Sequence, residues 1–182
     1  MYNYVNSLDI QERLKLSDSF FGGRTGATYL YYKVKENEKI NYSDICSLYP
    51  STNKYAKYPV GHPTIITENF KSIHDYFGIA KVCILPPRGL FHPILPYRTG
   101  GKLKFSLCRT CADNESDRPC ECSVKDRVII WTLCTPEIQH VVNQGYQILK
   151  IYKMYHWEES TMYDSDTGER VCLQNLSIHS KT

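Results

Sequence analysis

No apolar run in this chain approaches the ~18 consecutive residues that a membrane-spanning helix requires, which excludes a transmembrane reading. The opening Met1-Tyr-Asn-Tyr-Val-Asn-Ser-Leu-Asp9 lacks the charged and apolar regions of a secretory leader. The expectation is therefore an intracellular protein with no membrane partner. Strong charge is missing too: the formal net charge is +3 over 182 residues, too weak to argue for nucleic-acid binding by itself. Internal repeats are absent, and so is a disorder-type composition, since 42% of the residues are hydrophobic. That is enough to bury one core, as one domain or as one piece of a larger one.

Cysteine and tyrosine are what the chain has in plenty. Eight cysteines in an intracellular protein are better read as reduced thiols or metal ligands than as a disulfide framework. Four of them, Cys108, Cys111, Cys120 and Cys122, follow the pattern C-x2-C-x8-C-x-C around a polar stretch. A C-x2-C knuckle places two thiolates on one tetrahedral ion, and four thiolates close a structural Zn²⁺ site with no open position for catalysis. Because the C-x-C half is less typical, Cys134, His92 and His156 stand as alternative donors for one ligand. The fifteen tyrosines suit half-buried strands and base-stacking surfaces. Only Tyr49 is given weight, because of its neighbours.

Hydrophobic alternation and turn residues predict strands over 28–34 and 39–46, with a turn at 36–39 between them, and a helix over 51–58 behind Pro50. Further on they predict strands over 78–85, 102–107, 128–133 and 146–157, with 86–98 too rich in Pro and Gly for regular structure. A helix is expected over 135–143, with Thr135 as N-cap, Pro136 at its first position and Gly145 as its stop. This order of elements predicts an α+β fold with a mostly antiparallel sheet and short flanking helices. Divisions are placed at 1–19, the tail of an upstream element, at 20–63, and at 64–182, which holds the cysteine-rich loop.

The stretch Tyr42-Ser-Asp-Ile-Cys-Ser-Leu-Tyr-Pro-Ser51 resembles the first palm motif of family B DNA polymerases, D-x-x-S-L-Y-P-S. Phosphoryl transfer needs hard oxygen ligands that hold Mg²⁺ against the triphosphate. The resemblance puts that catalytic and metal-binding role on Asp44 and nucleotide binding on Ile45, Ser47, Leu48 and Tyr49, with Tyr49 packing beneath the deoxyribose. Phe20-Phe-Gly-Gly23 with Arg24 is similar to the aromatic-x-Gly-Gly motif of the protein-primed branch, which implies that Gly22, Gly23 and Arg24 meet template phosphates. In that motif Phe20 stands where the family has tyrosine. The segments 58–63, 89–97, 101–103, 145–146 and 151–157 look like the polymerases of Maverick or Polinton elements and of linear plasmids, and the likeness covers about 18–170.

The resemblance to that branch implies a partial polymerase palm, a two-metal Mg²⁺ site, and DNA template and primer, dNTP and a terminal protein primer as partners. No Lys-x3-Asn-x2-Tyr-Gly helix and no D-T-D hairpin are found. Tyr163-Asp-Ser-Asp-Thr-Gly168 lacks flanking apolar strands and reads as a turn. The expectation is a polymerase fragment with half a metal site, inactive alone. The alternative is a non-catalytic, zinc-stabilised DNA- or protein-binding remnant. Arg98, Lys102, Lys104 and Arg109 form a small basic group that suits either a DNA backbone or a solvated face.

Overall fold

The computed structural model describes residues 14–27 and 29–161. In chain order they form a 3-10 turn at Leu16–Ser19, α1 (Leu48–Tyr55), β1 (Tyr58–Pro59), β2 (Thr64–Ile66), a second 3-10 turn at Ile73–Asp75, β3 (Gly78–Leu85), β4 (Pro96–Thr99), β5 (Lys102–Phe105), α2 (Arg109–Asp113), α3 (Val124–Arg127), β6 (Ile129–Cys134), α4 (Thr135–Asn143), β7 (Gln147–His156) and β8 (Ser160–Thr161). The class is α+β with antiparallel sheets and short helices, as the sequence predicts. Among the described residues no helix is long and apolar enough to cross a membrane. Two compact units are present, one built from 14–21 and 61–159, the other from 22–60 and 160–161. The Tyr163–Gly168 stretch lies outside the described residues.

The first unit is organised by the four-stranded sheet β2-β7-β3-β6. Ile, Val and Ala on β3 suit a pleated surface that is covered on both sides. On one face Ala80, Val82 and Ile84 meet Leu133, Met154, Tyr146 and the α4 residues Ile138 and Val141. On the other, Cys83 packs with Val128 and Tyr152. Strand β7 follows β3 along its length, yet the register steps from Lys81↔Lys153 to Val82↔Ile151 and again from Cys83↔Lys150 to Ile84↔Ile148. Tyr152 and Leu149 are thus the extra residues of two β-bulges. Ile148, Ile151 and Met154, three apart, all reach the α4 face, while Leu149 and Tyr152 reach the opposite one.

Helix α4 starts one residue earlier than its side chains advertise. Thr135 is not its N-cap: Cys134 holds that position, and its N–H donates to Glu137 Oε2 at 3.3 Å. The Thr135 hydroxyl instead accepts the Gly78 N–H at 2.9 Å, fixing the helix to the start of β3. At the other end Gly145 N–H donates to Val142 O at 3.0 Å and Tyr146 N–H to Val141 O at 3.1 Å, with Gly145 at φ 87°. This Schellman arrangement needs the left-handed conformation. Gly145→Ala is expected to cost about 1 kcal/mol, read as a lower urea midpoint at unchanged m-value.

Part of the stretch expected to be irregular turns out to be paired. Pro96–Thr99 is β4, joined to β5 in the register Thr99↔Lys102. The two connecting residues, Gly100 and Gly101, have φ 58° and 74°, the twist of a two-residue hairpin turn that favours glycine.

In the second unit the expected strands over 28–34 and 39–46 do not form among the described residues, which are irregular there apart from turns at 36–37 and 46–47. The alternation is real, but Leu30 is 98% and Tyr42 94% exposed. Among the described residues no surface is apposed to bury these side chains, so nothing there offsets the entropy of ordering a strand pair. The turn between them does form: Glu38 N–H donates to Lys35 O at 3.1 Å, and the Tyr32 hydroxyl donates to Glu38 Oε2 at 2.6 Å. That shared hydrogen bond raises the tyrosine and lowers the carboxyl from their ordinary values. The expected helix appears a little early, as Leu48–Tyr55, and the two-residue strands β1 and β8 pair at Tyr58↔Thr161 and Pro59↔Ser160.

Candidate functional site

The residues after Asp44 make a turn at Cys46–Ser47, and Ser47 adopts the left-handed conformation at φ 57° as N-cap of α1. The first helical hydrogen bond runs from Ser51 N–H to Ser47 O at 2.9 Å. Pro50 has no N–H, so the amides of Leu48 and Tyr49 head the helix without an intrahelical acceptor. Asp44 is exposed, as are Ile45 (70%), Leu48 (49%) and Tyr49 (82%). A carboxylate followed within a few residues by unpaired helical amides supplies an oxygen ligand for a hard cation and N–H groups for a phosphate. Gly22, Gly23 and Arg24 lie in an irregular exposed stretch of the same unit. A Cβ on either glycine would meet nothing within 4 Å, so packing among the described residues does not demand glycine there.

The four cysteines of the C-x2-C-x8-C-x-C pattern converge in the first unit. Their sulfur atoms all lie within 4.8 Å of one another, and Cys111 Sγ and Cys122 Sγ are 3.6 Å apart. Four thiolates around one tetrahedral ion at the usual Zn–S length would stand about 3.8 Å apart. The cluster is compatible with a structural zinc site. Cys108, the most buried, caps α2 and its sulfur accepts the Cys111 N–H at 3.4 Å. The neighbouring Thr110 hydroxyl donates to Asp126 O at 2.9 Å, tying the knuckle to α3.

Burial acts to raise the Cys120 thiol, but hydrogen bonds with the Cys122 backbone and with the thiols of Cys111, Cys108 and Cys122 outweigh it and bring the group down to about 7. Burial and the surrounding thiols push Cys111 well up.

None of the alternative donors joins the cluster. Cys134 caps α4, His156 Nδ1 sits 3.1 Å from the Phe77 amide, and His92 stacks edge-on against Phe91. Within the basic group, Lys104 is already committed: it pairs with Glu115 at 2.8 Å and donates to Ala112 O at 2.8 Å. Sequence reasoning missed Arg88, whose guanidinium donates to Cys120 O at 3.0 Å and to Cys122 O at 2.9 Å. No local pattern points to it, because its partners lie 32 and 34 residues away.

The family model for DNA polymerase type B, organellar and viral, matches residues 4–165, a span that includes both the Asp44 turn and the four cysteines. No curated protein and no solved structure matches the chain. With most of its length matched by that family model, the chain belongs to the organellar and viral type B DNA polymerases.

Proposed function

We propose that this chain carries the first metal-binding segment of a template-directed DNA polymerase of the protein-primed branch, with Asp44 as a ligand of Mg²⁺ bound to an incoming dNTP. The observation that carries the reading is the succession of an exposed carboxylate, a left-handed turn at Ser47 and a helix headed by free amides, inside the matched span. In this reading the amides of Ser47, Leu48 and Tyr49 receive triphosphate oxygens, Ile45 belongs to the same nucleotide-binding turn, and the Tyr49 ring lies beneath the sugar. Gly22, Gly23 and Arg24 meet the template backbone, and a terminal protein supplies the priming hydroxyl. Mg²⁺ supplies charge neutralisation at the triphosphate and activation of the attacking oxygen.

Asp44 alone cannot hold the two ions of a phosphoryl-transfer site. The chain by itself is therefore expected to bind a dNTP in a Mg²⁺-dependent way and to synthesise no DNA. Calorimetric titration of dATP with and without Mg²⁺ tests this: Asp44→Ala should weaken the Mg²⁺-dependent component by about tenfold or more, ~1.4 kcal/mol. Templated primer extension by the isolated chain, or unchanged dATP binding in the variant, would contradict the assignment. A zinc-stabilised DNA- or protein-binding role is the second reading, favoured by a cysteine cluster that leaves no open coordination position. DNA binding that survives Asp44→Ala but is lost with a chelator would support it.

A further inference from the structure

We propose that Cys108, Cys111, Cys120 and Cys122 hold one Zn²⁺ as a closed four-thiolate site, and that Arg88 is its outer-shell residue, so that the ion fastens the segment between β5 and β6 to the end of β3. The proposal is independent of the polymerase reading, since none of its residues belongs to the Asp44 turn.

Three observations carry it. The first is convergence: four sulfur atoms, drawn from both halves of a polar insertion, all lie within 4.8 Å of one another. The spacing suits one ion better than an iron–sulfur cluster, in which two irons would hold the thiolates as two separated pairs. Oxygen-preferring cations have no ligand here, and four thiolates select a soft or borderline metal.

The second is the treatment of the C-x-C half. With one residue between its ligands, this segment does not form a knuckle of its own, and its carbonyls are held from outside. The Arg88 fork takes both, Nη1 on Cys120 O and Nη2 on Cys122 O. A four-thiolate zinc site carries a net charge of −2, and a guanidinium clamped on the ligand backbone offsets part of it.

The third is a reciprocal clasp. Arg127, only 4% exposed, donates from Nη2 to Pro86 O (2.6 Å) and Pro87 O (3.1 Å). Arg88, the next residue, donates in the opposite direction to the cysteine loop. Two guanidinium groups thus stitch 86–88 to 120–127 from both sides, and the ion adds thiolate links to the Cys108–Cys111 knuckle that Thr110 already ties to α3.

The full chain, purified under reducing conditions, should contain one equivalent of zinc by elemental analysis. Replacement by Co²⁺ should give the intense visible bands of tetrahedral cobalt together with sulfur-to-cobalt charge transfer. Cys122→Ser should lose or alter these bands, whereas Cys46→Ser should not. Arg88→Ala should keep the one-to-one stoichiometry but bind about 10–100-fold more weakly in competition with a chromophoric chelator. Arg88→Lys should not restore the affinity, because an ammonium lacks the planar fork that spans two carbonyls. The cobalt spectrum of the unaltered chain keeps the proposal open to refutation even if Cys122→Ser fails to fold. Absence of metal with weak octahedral cobalt bands, or iron together with sulfide, would overturn the zinc site. Undiminished affinity in Arg88→Ala would overturn the role of Arg88.

Discussion

Gly78→Ala is expected to destabilise the sheet unit by about 4 kcal/mol or more, among the largest effects a single methyl group can have. A Cβ at this position would lie 1.9 Å from the Tyr155 carbonyl oxygen and 3.0 Å from Cε3 of Trp157. Neither neighbour can give way cheaply. Tyr155 is held in register on both sides, by Ile65 of β2 and Ile79 of β3. Trp157 is pinned through its amide to Phe77 O at 2.9 Å and through Nε1 to Gly61 O at 3.1 Å. Moving Gly78 itself would break its hydrogen bond to Thr135, which ties the start of α4 to the start of β3. Set against a typical domain stability of about 5–15 kcal/mol, such a loss leaves little folded protein. Urea denaturation followed by tryptophan fluorescence reads the outcome, and a change below about 1 kcal/mol would show that β3 and β7 do not approach this closely.

Ile138→Ala should cost about 2–5 kcal/mol. The side chain is fully buried at the centre of the cluster formed by α4 and the sheet, with Ala80, Val82, Leu133 and Met154 among the same group. Its loss removes three carbons' worth of burial and leaves a void that a rigid sheet cannot close. Ile138→Val, which deletes one methyl, should cost only about 0.5–1.5 kcal/mol. Both measurements belong at fixed Zn²⁺, since any ligand bound to the folded state alone shifts the apparent stability. Equal costs for the two variants would place Ile138 outside the core.

Three strands of the sheet unit, β3, β6 and β7, were legible because their apolar residues face real partners, whereas the short edge strand β2 was not anticipated. Strand β3 and helix α4 were predicted almost to the residue, and β6 and β7 within one or two. The cysteine cluster was legible for a different reason: ligand spacing is a property of the chain itself, and four thiols at C-x2-C and C-x-C have few other uses. Three features were not legible. The alternation over 29–34 and 39–46 is a pattern without a partner, and period-2 hydrophobicity cannot say whether a second surface is present to receive it. Arg88 and Arg127 carry no local signal, since their acceptors are backbone carbonyls more than thirty residues distant. The β4–β5 hairpin did carry a local signal in Gly100-Gly101, outweighed by the prolines before it.

The two bulges of β7 give that strand something an unbroken ladder lacks, namely spare length. In a regular strand, removing one residue turns every side chain beyond the cut to the wrong face. Here Tyr152 and Leu149 are each one residue more than β3 requires. Excising either would let the flanking pairs, Val82 with Ile151 and Lys81 with Lys153, or Ile84 with Ile148 and Cys83 with Lys150, close up into plain alternation without moving. The loss would fall on the small cluster around Cys83 and Val128, and the α4 side would keep its register. Strand β7 is thus built to tolerate shortening at two defined points while its ends stay where they are.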